Sequence, residues 1–280
     1  MEAIKEDKDL LIIQEEFSKI RTMYEEDQTQ TSYNMLLCGE MGSGKSHFLS
    51  TARRPIHIDS FDPGGTKIAP IQRGIKEGWI IVDSRWEKED PLKPAVAKLW
   101  TTEMDRRERM GYFNHVGTYA LDSATSWMDA LMNKQLKGAG IAGQAPRFTH
   151  DYTPVKAEIR NYIRRMMMFP CDFILTGHLN SEKDEPTGRV IMRFMTIGKG
   201  AASLPTLFDE VFVALTKDTS DGTKYTLLTA PKQMYLARTR LGSGKFEQEE
   251  KPDLQHLFKK AGRKMIDLPY FTQPKGEEKK

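Results

Sequence analysis

Cysteine is scarce in this chain: two in 280 residues, Cys38 and Cys171, far apart in sequence. That excludes a disulfide framework and a cysteine-based metal cluster, and both thiols lie in apolar stretches suited to burial in a reducing compartment. The six histidines, His47, His57, His115, His150, His178 and His256, show no ligand spacing, so a zinc site is not expected. No apolar run is long enough to cross a bilayer, and the mean hydropathy is −0.56. The opening MEAIKEDKDL has no apolar core of a signal peptide, so a cytoplasmic protein is expected. Glycine (21) and proline (14) are too few for a collagen-like or low-complexity chain. Charge is not one-sided either: 42 basic against 39 acidic residues leave a net +3, which neither demands nor excludes nucleic acid.

What is present divides unevenly. Residues 1–30 carry a net charge of −5, with Leu10, Leu11, Ile13, Phe17, Ile20 and Tyr24 at roughly helical spacing. This predicts an amphipathic helical arm that packs on its own domain or on a neighbouring subunit. From Asn34 onward, short apolar runs alternate with helical patterns. Strands are expected near 34–38, 56–60, 79–83, 112–121, 171–176 and 211–215, with a closing hairpin or meander over 224–241. Helices are expected near 46–53, 91–110, 126–137, 153–169 and 253–264. Short apolar strands between helices argue for an α/β fold with a mostly parallel sheet covered on both faces. The simplest partition is an arm at 1–30, a core at 31–246 and a C-terminal extension with a charged tail at 247–280.

The strongest signal is Gly39-Glu-Met-Gly-Ser-Gly44-Lys45-Ser46, a full match to the GxxxxGK[ST] phosphate-binding loop. Glycines let such a loop wrap closely and point backbone N–H groups at phosphates. Lysine reaches the β- and γ-phosphates and the serine hydroxyl binds Mg²⁺. An apolar strand precedes the loop and a helix follows, which is the context the motif requires. The expected ligands of ATP are therefore Gly39, Glu40, Met41, Gly42, Ser43, Gly44, Lys45, Ser46 and the next residue, His47.

A carboxylate is expected to hold the metal together with that serine hydroxyl. Thr118-Tyr-Ala-Leu-Asp122 is an apolar strand ending in an acid, which suits Mg²⁺, although Asp122 or Ser123 also suits the start of a helix. Hydrolysis needs a further group to orient water. Ser123 follows Asp122, so an adjacent Asp-Glu pair is absent. Asp59 and Asp62, around the end of the strand after the P-loop helix, are the alternatives, Asp62 slightly favoured because it follows the strand. Phe173-Ile-Leu-Thr-Gly-His178 leads an apolar strand to a polar residue, and strand ends face the ligand in open α/β sheets.

This order of elements resembles the RecA-like ATPase core, and more closely the phage AAA-family, RecA-type ATPases associated with single-strand annealing and recombination. Gly39–Ser46, Ala120-Leu-Asp122-Ser, and the segment from Gly198 to Val213 carry the resemblance, with Ala237-Arg238-Thr-Arg240 as a further echo. The resemblance implies a RecA-like sheet, a water-activating acid after the second strand and a γ-phosphate sensor matching His178. It also implies Arg238 and Arg240 reaching nucleotide across a subunit interface, hence a homo-oligomeric ring or filament. In that family the acid is usually glutamate, whereas the matches here are aspartates.

The same resemblance places single-stranded DNA on two loops, 138–152 and 179–203. Arg147, Lys183, Arg189, Arg193 and Lys199 are the expected contacts, and Lys156, Arg160, Arg164 and Arg165 add charge on the intervening helix. Basic and aromatic groups in glycine-bearing loops suit backbone tracking and base stacking. The expected function is Mg²⁺-dependent ATP hydrolysis coupled to single-stranded DNA in recombination or replication. The alternatives are an assembly or motor ATPase acting on a protein partner or duplex DNA, and a nucleotide-gated structural oligomer that hydrolyses little.

Overall fold

The computed structural model describes residues 2–27, 32–183, 185, 188–197, 203–220 and 222–270. The chain opens with α1 (Glu2–Glu26), whose apolar side chains from Leu10 to Tyr24 are exposed. The polar stretch 27–31 after it, which reads in the sequence as a linker, falls mostly outside the described residues.

Among the described residues, ten strands and six further helices follow. They are β1 (Asn34–Gly39), α2 (Lys45–Leu49), β2 (Ile56–Ser60), α3 (Ala69–Glu77), β3 (Ile80–Asp83), α4 (Val96–Arg109), β4 (Thr118–Asp122), α5 (Ala124–Gly138) and α6 (Phe148–Met166), then β5 (Asp172–Gly177), β6 (Leu179–Lys183), β7 (Val190–Phe194), β8 (Glu210–Thr219), β9 (Gly222–Leu228), β10 (Glu249–Glu250) and α7 (Leu254–Ala261). Eight strands form one sheet in the order β10-β9-β8-β1-β5-β4-β2-β3. The strands from β8 to β3 run parallel, while β9 and β10 close one edge antiparallel. This is the mostly parallel α/β arrangement that the sequence pattern predicts, in the RecA-like form that the resemblance implies. β5 separates β1 from β4, so the P-loop and Asp122 leave the same sheet end with one strand between them.

Strand alternation divides the core by face. Leu36, Cys38, Tyr119, Leu121, Phe173 and Leu175 pack with side chains of α4, α5 and α6. Met35, Leu37, Ile56, Ile58, Ala120 and Ile174 pack with α2, α3 and α7. Burial on both faces explains why these strands read as unbroken apolar runs.

Three sequence expectations change. The core does not stop at 246: β10 pairs with β9, and Leu254, Leu257 and Phe258 of α7 complete the second core cluster. Even Asp267 accepts a hydrogen bond from the Arg54 N–H at 2.9 Å. Helix α6 begins at Phe148 rather than 153, because Asp151 reaches back to the Arg147 N–H at 2.7 Å and caps the first turn ahead of Pro154. Inside the expected loop 179–203, β6 and β7 pair as a separate two-stranded sheet.

Candidate functional site

The P-loop leaves β1 at a point where the backbone is closely packed. A Cβ on Gly39 would stand 2.3 Å from Ser43 Oγ and 2.8 Å from the Ala214 carbonyl, so only glycine fits there. Gly42 and Gly44 take φ of 78° and 90°, the left-handed conformation that lets the loop curl back. The curl and the neighbouring strand ends enclose a cavity of about 650 Å³. Met41, Gly42, Ser43, Gly44, Lys45, Ser46 and His47 line one wall, and Asp62, Asp122 and His178 line another. Seven of the nine expected nucleotide ligands are thus at the cavity. Glu40 contributes its carbonyl, which accepts from Lys45 Nζ at 2.8 Å, and Gly39 supplies the turn.

Lys45 Nζ also donates to the Gly39 carbonyl at 3.0 Å. Burial lowers its pKa, against the attraction of Asp122 and Asp62. The ammonium is therefore held by neutral carbonyls in a partly dry site and gains from an anion. Ser43 Oγ is buried with no hydrogen-bond partner among the described residues. An orphan hydroxyl, a cation tied only to carbonyls and two left-handed glycines fit phosphate oxygens.

Asp122 is fixed from two sides. Ser46 Oγ donates to Oδ2 at 3.1 Å, and Thr176 Oγ1 of the intervening strand donates to Oδ1. Burial raises its pKa, the Thr176 hydrogen bond opposes that, and Asp62 adds to the rise. A paired hydroxyl and carboxylate are hard oxygen donors of the kind Mg²⁺ uses together with phosphate and water oxygens. No group of three or more His, Cys, Asp or Glu side chains arranged to hold a metal occurs among the described residues. The two-oxygen set at Ser46 and Asp122 remains the fit for a metal that shares its ligands with substrate.

The two alternative aspartates separate cleanly. Asp59 is fully buried on β2 and away from the cavity. Its Oδ1 receives Trp86 Nε1 and Arg107 Nη1, each at 2.9 Å, and lies 3.1 Å from His57 Nε2. Its Oδ2 receives Trp100 Nε1 at 2.9 Å and the Tyr119 hydroxyl at 2.7 Å. Burial alone would raise its pKa, but the His57 contact, the Arg107 charge and the Tyr119 hydroxyl hold it well below the ordinary carboxylate range. With every lone pair engaged inside the core, Asp59 cannot orient a water, which corrects the expectation that it is a candidate base. Asp62 is 30% exposed at the cavity. Ser126 Oγ donates to Oδ1, while Oδ2 stands 3.9 Å from His178 Nε2, too far for a hydrogen bond. One oxygen is anchored and the other is open.

The arginine pair lies elsewhere. Val211 and Arg238 form an antiparallel bridge at the start of β8, and the Arg240 N–H donates to Glu210 Oε1. Because β8 runs parallel to β1 with Glu210 opposite Met35, this is the sheet end away from the P-loop. Arg238 is turned inward: its Nη2 donates to the carbonyls of Phe208 and Pro205. Its Nη2 is thus held within its own chain, whereas its buried Nε has no hydrogen-bond partner among the described residues. Arg240 is 60% exposed and pairs with Asp209 at 2.8 Å.

The expected nucleic-acid contacts are dispersed. Arg147 is ion-paired with Asp151 at 3.0 Å and Arg193 with Glu182 at 2.6 Å. Lys183 and Arg189 are exposed at the ends of β6 and β7, and Lys199 lies outside the described residues. Sequence reasoning missed Thr176 and Ser126, the hydroxyls that anchor Asp122 and Asp62, and the apolar cavity wall of Ile68, Pro70, Tyr225 and Pro252. Thr176 was readable as the polar end of an apolar strand; Tyr225 comes from an edge hairpin far along the chain and carried no local signal.

Residues 31–241 match the family model described as an AAA domain. Among solved structures, the chain is similar to the flagellar accessory protein FlaH from Methanocaldococcus jannaschii, at 11% identity and a TM-score of 0.43, covering 78% of this chain and 83% of that one. It is also similar to an ATPase from the type III secretion system of pathogenic bacteria, at 14% identity and a TM-score of 0.42, covering 66% and 52%. A KaiC-like protein from Pyrococcus horikoshii OT3 aligns at 13% identity and a TM-score of 0.38, covering 70% and 78%. No curated protein matches the chain. No helix among the described residues is long and apolar enough to cross a membrane.

Proposed function

The chain belongs to the AAA domain family, a nucleotide-binding ATPase type, and from that membership we propose a Mg²⁺-dependent ATP hydrolase that works as an assembly or motor subunit on a protein partner or duplex DNA. The observation that carries the hydrolytic part is Asp62, anchored by Ser126 with its second oxygen open, in one cavity with Lys45, Ser46 and Asp122.

In this reading Lys45 exchanges its two carbonyl partners for β- and γ-phosphate oxygens. Ser46 and Asp122 hold the metal, and Thr176 keeps the carboxylate aimed. A Mg²⁺ ion held there would supply neutralisation of the charge that builds on the phosphate oxygens. Asp62 orients the attacking water and accepts its proton through the free oxygen. His178, across from Asp62, is the group that meets the γ-phosphate side of the cavity and passes its state to β6, which begins at the next residue. Arg240, exposed at the opposite sheet end, acts on the site of a neighbouring copy.

The choice of partner rests on charge already spent. Arg147 and Arg193, two of the five residues expected to track single-stranded DNA, are held in ion pairs within the chain. One observation favours the recombination-type alternative: Lys156, Arg160 and Arg164 repeat every fourth residue of α6, and none has an ion pair among the described residues. Steady-state ATP hydrolysis with no DNA, single-stranded DNA or duplex decides between them. Stimulation by single strands that disappears in Arg160→Glu selects the alternative. Indifference to single strands, with hydrolysis lost in Lys45→Ala, supports the primary reading.

A further inference from the structure

Helix α1 takes no part in the cavity and presents an uncovered apolar face. Leu10, Ile13, Phe17, Ile20 and Tyr24 are between 48 and 68% exposed. Their separations alternate between three and four residues. That is the 3.5-residue period which keeps one seam against a partner helix through a left-handed supercoil. An uncovered apolar stripe of this size is rarely left on a monomer.

The charges beside the stripe name the partner. With Leu10, Phe17 and Tyr24 at a, and Ile13 and Ile20 at d, Glu16 stands at g and Arg21 at the next e. A parallel, in-register pair brings each g beside the following e of the other helix, the contacts that set partner and orientation. Glu16 of each copy then meets Arg21 of the other, once on each side of the seam. An antiparallel pair places g beside g and e beside e and separates these two charges. The remaining acids of this stretch, Glu15, Glu25 and Glu26, fall at f, b and c, clear of the contact. Arg21 pairs within its own helix with Glu25 at 3.0 Å, a solvent-exposed contact that leaves its other donors available to Glu16.

We propose that α1 is a self-association element, forming a parallel coiled-coil seam with α1 of a second copy of this chain. The proposal goes beyond the nucleotide chemistry and does not depend on it. The seam spans about two heptads, so it is weak as an isolated peptide and gains from any other contact that holds two copies close.

The test uses the full chain without nucleotide. Cys38 and Cys171 are buried, so a cysteine introduced on α1 is the reporting thiol. Under mild oxidation Ile20→Cys, at d, should form a covalent dimer about tenfold or more faster than Lys19→Cys, at the outward c position. Adding Ile13→Asp should reduce Ile20→Cys to the Lys19→Cys rate. Glu16→Arg should slow cross-linking, and Glu16→Arg with Arg21→Glu should restore it. Equal rates for Ile20→Cys and Lys19→Cys would overturn the proposal. So would a slow single reversal that the double reversal fails to rescue, since the charges would then not face each other.

Discussion

Asp59 and Asp62 stand three residues apart, and the structure assigns them opposite consequences. Asp59 is the acceptor for Trp86, Trp100, Tyr119 and Arg107 inside the core. Arg107 is itself buried and bridges Asp59 to Asp83. Asp59→Asn removes the charge that balances this guanidinium and turns an amide N–H₂ toward groups that are already donors. Breaking one side of a buried pair costs about 3–5 kcal/mol; Asp83 and Glu103 still face Arg107, so the lower end, about 3 kcal/mol, applies. For a domain of this size that is roughly a 6–12 °C drop in melting temperature. Asp62→Asn acts on a side chain 30% exposed at the cavity and should change stability by less than about 1 kcal/mol. It removes the base, however, so hydrolysis should fall about 10²- to 10⁴-fold with ATP binding retained. Thermal melts, ATP-binding titrations and steady-state turnover on both variants, run below the melting point of each, make the comparison. An Asp59→Asn protein that melts like the parent but no longer hydrolyses ATP would refute the assignment, as would unchanged turnover in Asp62→Asn.

Three other outcomes follow from the geometry. Gly39→Ala places a methyl 2.8 Å from the Ala214 carbonyl, so β1 and β8 must part; a loss of about 1–3 kcal/mol in urea denaturation and weaker ATP binding are expected. Burial pushes the Asp172 carboxyl up to about 6, against the Arg53 ion pair and the Tyr33 N–H. A folded carboxyl that titrates above its unfolded value adds stability below about pH 4 and loses it as pH rises through 6, about 3 kcal/mol in all; Asp172→Asn should flatten that slope in denaturation curves taken from pH 4 to 7. Mixing Arg240→Ala with Lys45→Ala chains should restore part of the hydrolysis that each lacks alone, and no recovery in mixtures shown to co-assemble would mean that Arg240 does not serve a neighbour's site.

The parallel part of the fold was legible because its strands are buried on both faces. Met35–Cys38, Ile56–Ile58 and Phe173–Leu175 read as short apolar runs, and each is a central strand. The elements that escaped notice are those whose partners are distant or whose faces are wet. The β6 strand, Leu-Asn-Ser-Glu-Lys, is exposed along most of its length and pairs only with β7, so it leaves no apolar pattern. The pattern places two closing strands in a hairpin or meander across 224–241, but among the described residues β9 is the one named strand there, ending at Leu228, and the chain runs on through turns before β10. Apolar spacing predicts the helix over 253–264, observed at 254–261, yet nothing local shows that it completes the core cluster shared with α2.

The site was legible to the degree that its chemistry is local. A P-loop encodes its function in eight consecutive residues, because the phosphates are gripped by backbone that only those residues can shape. The choice of base was not encoded that way. Asp59 and Asp62 are the same residue type three positions apart, and what separates them is who else arrives. Trp86, Trp100, Arg107 and Tyr119 converge on Asp59 from β4, α4 and the turn after β3, whereas Ser126 of α5 takes only one oxygen of Asp62. Four donors from distant segments silence one carboxylate, and the shortage of donors frees the other. A catalytic carboxylate is in this sense defined by an absence of partners, and sequence spacing records which residues are near a strand end without recording which of them keeps an open lone pair. The same logic separates Arg238 and Arg240: the pattern presents them as twins, yet one Arg238 nitrogen is turned to the carbonyls of Phe208 and Pro205, whereas Arg240 pairs with Asp209 and stays 60% exposed.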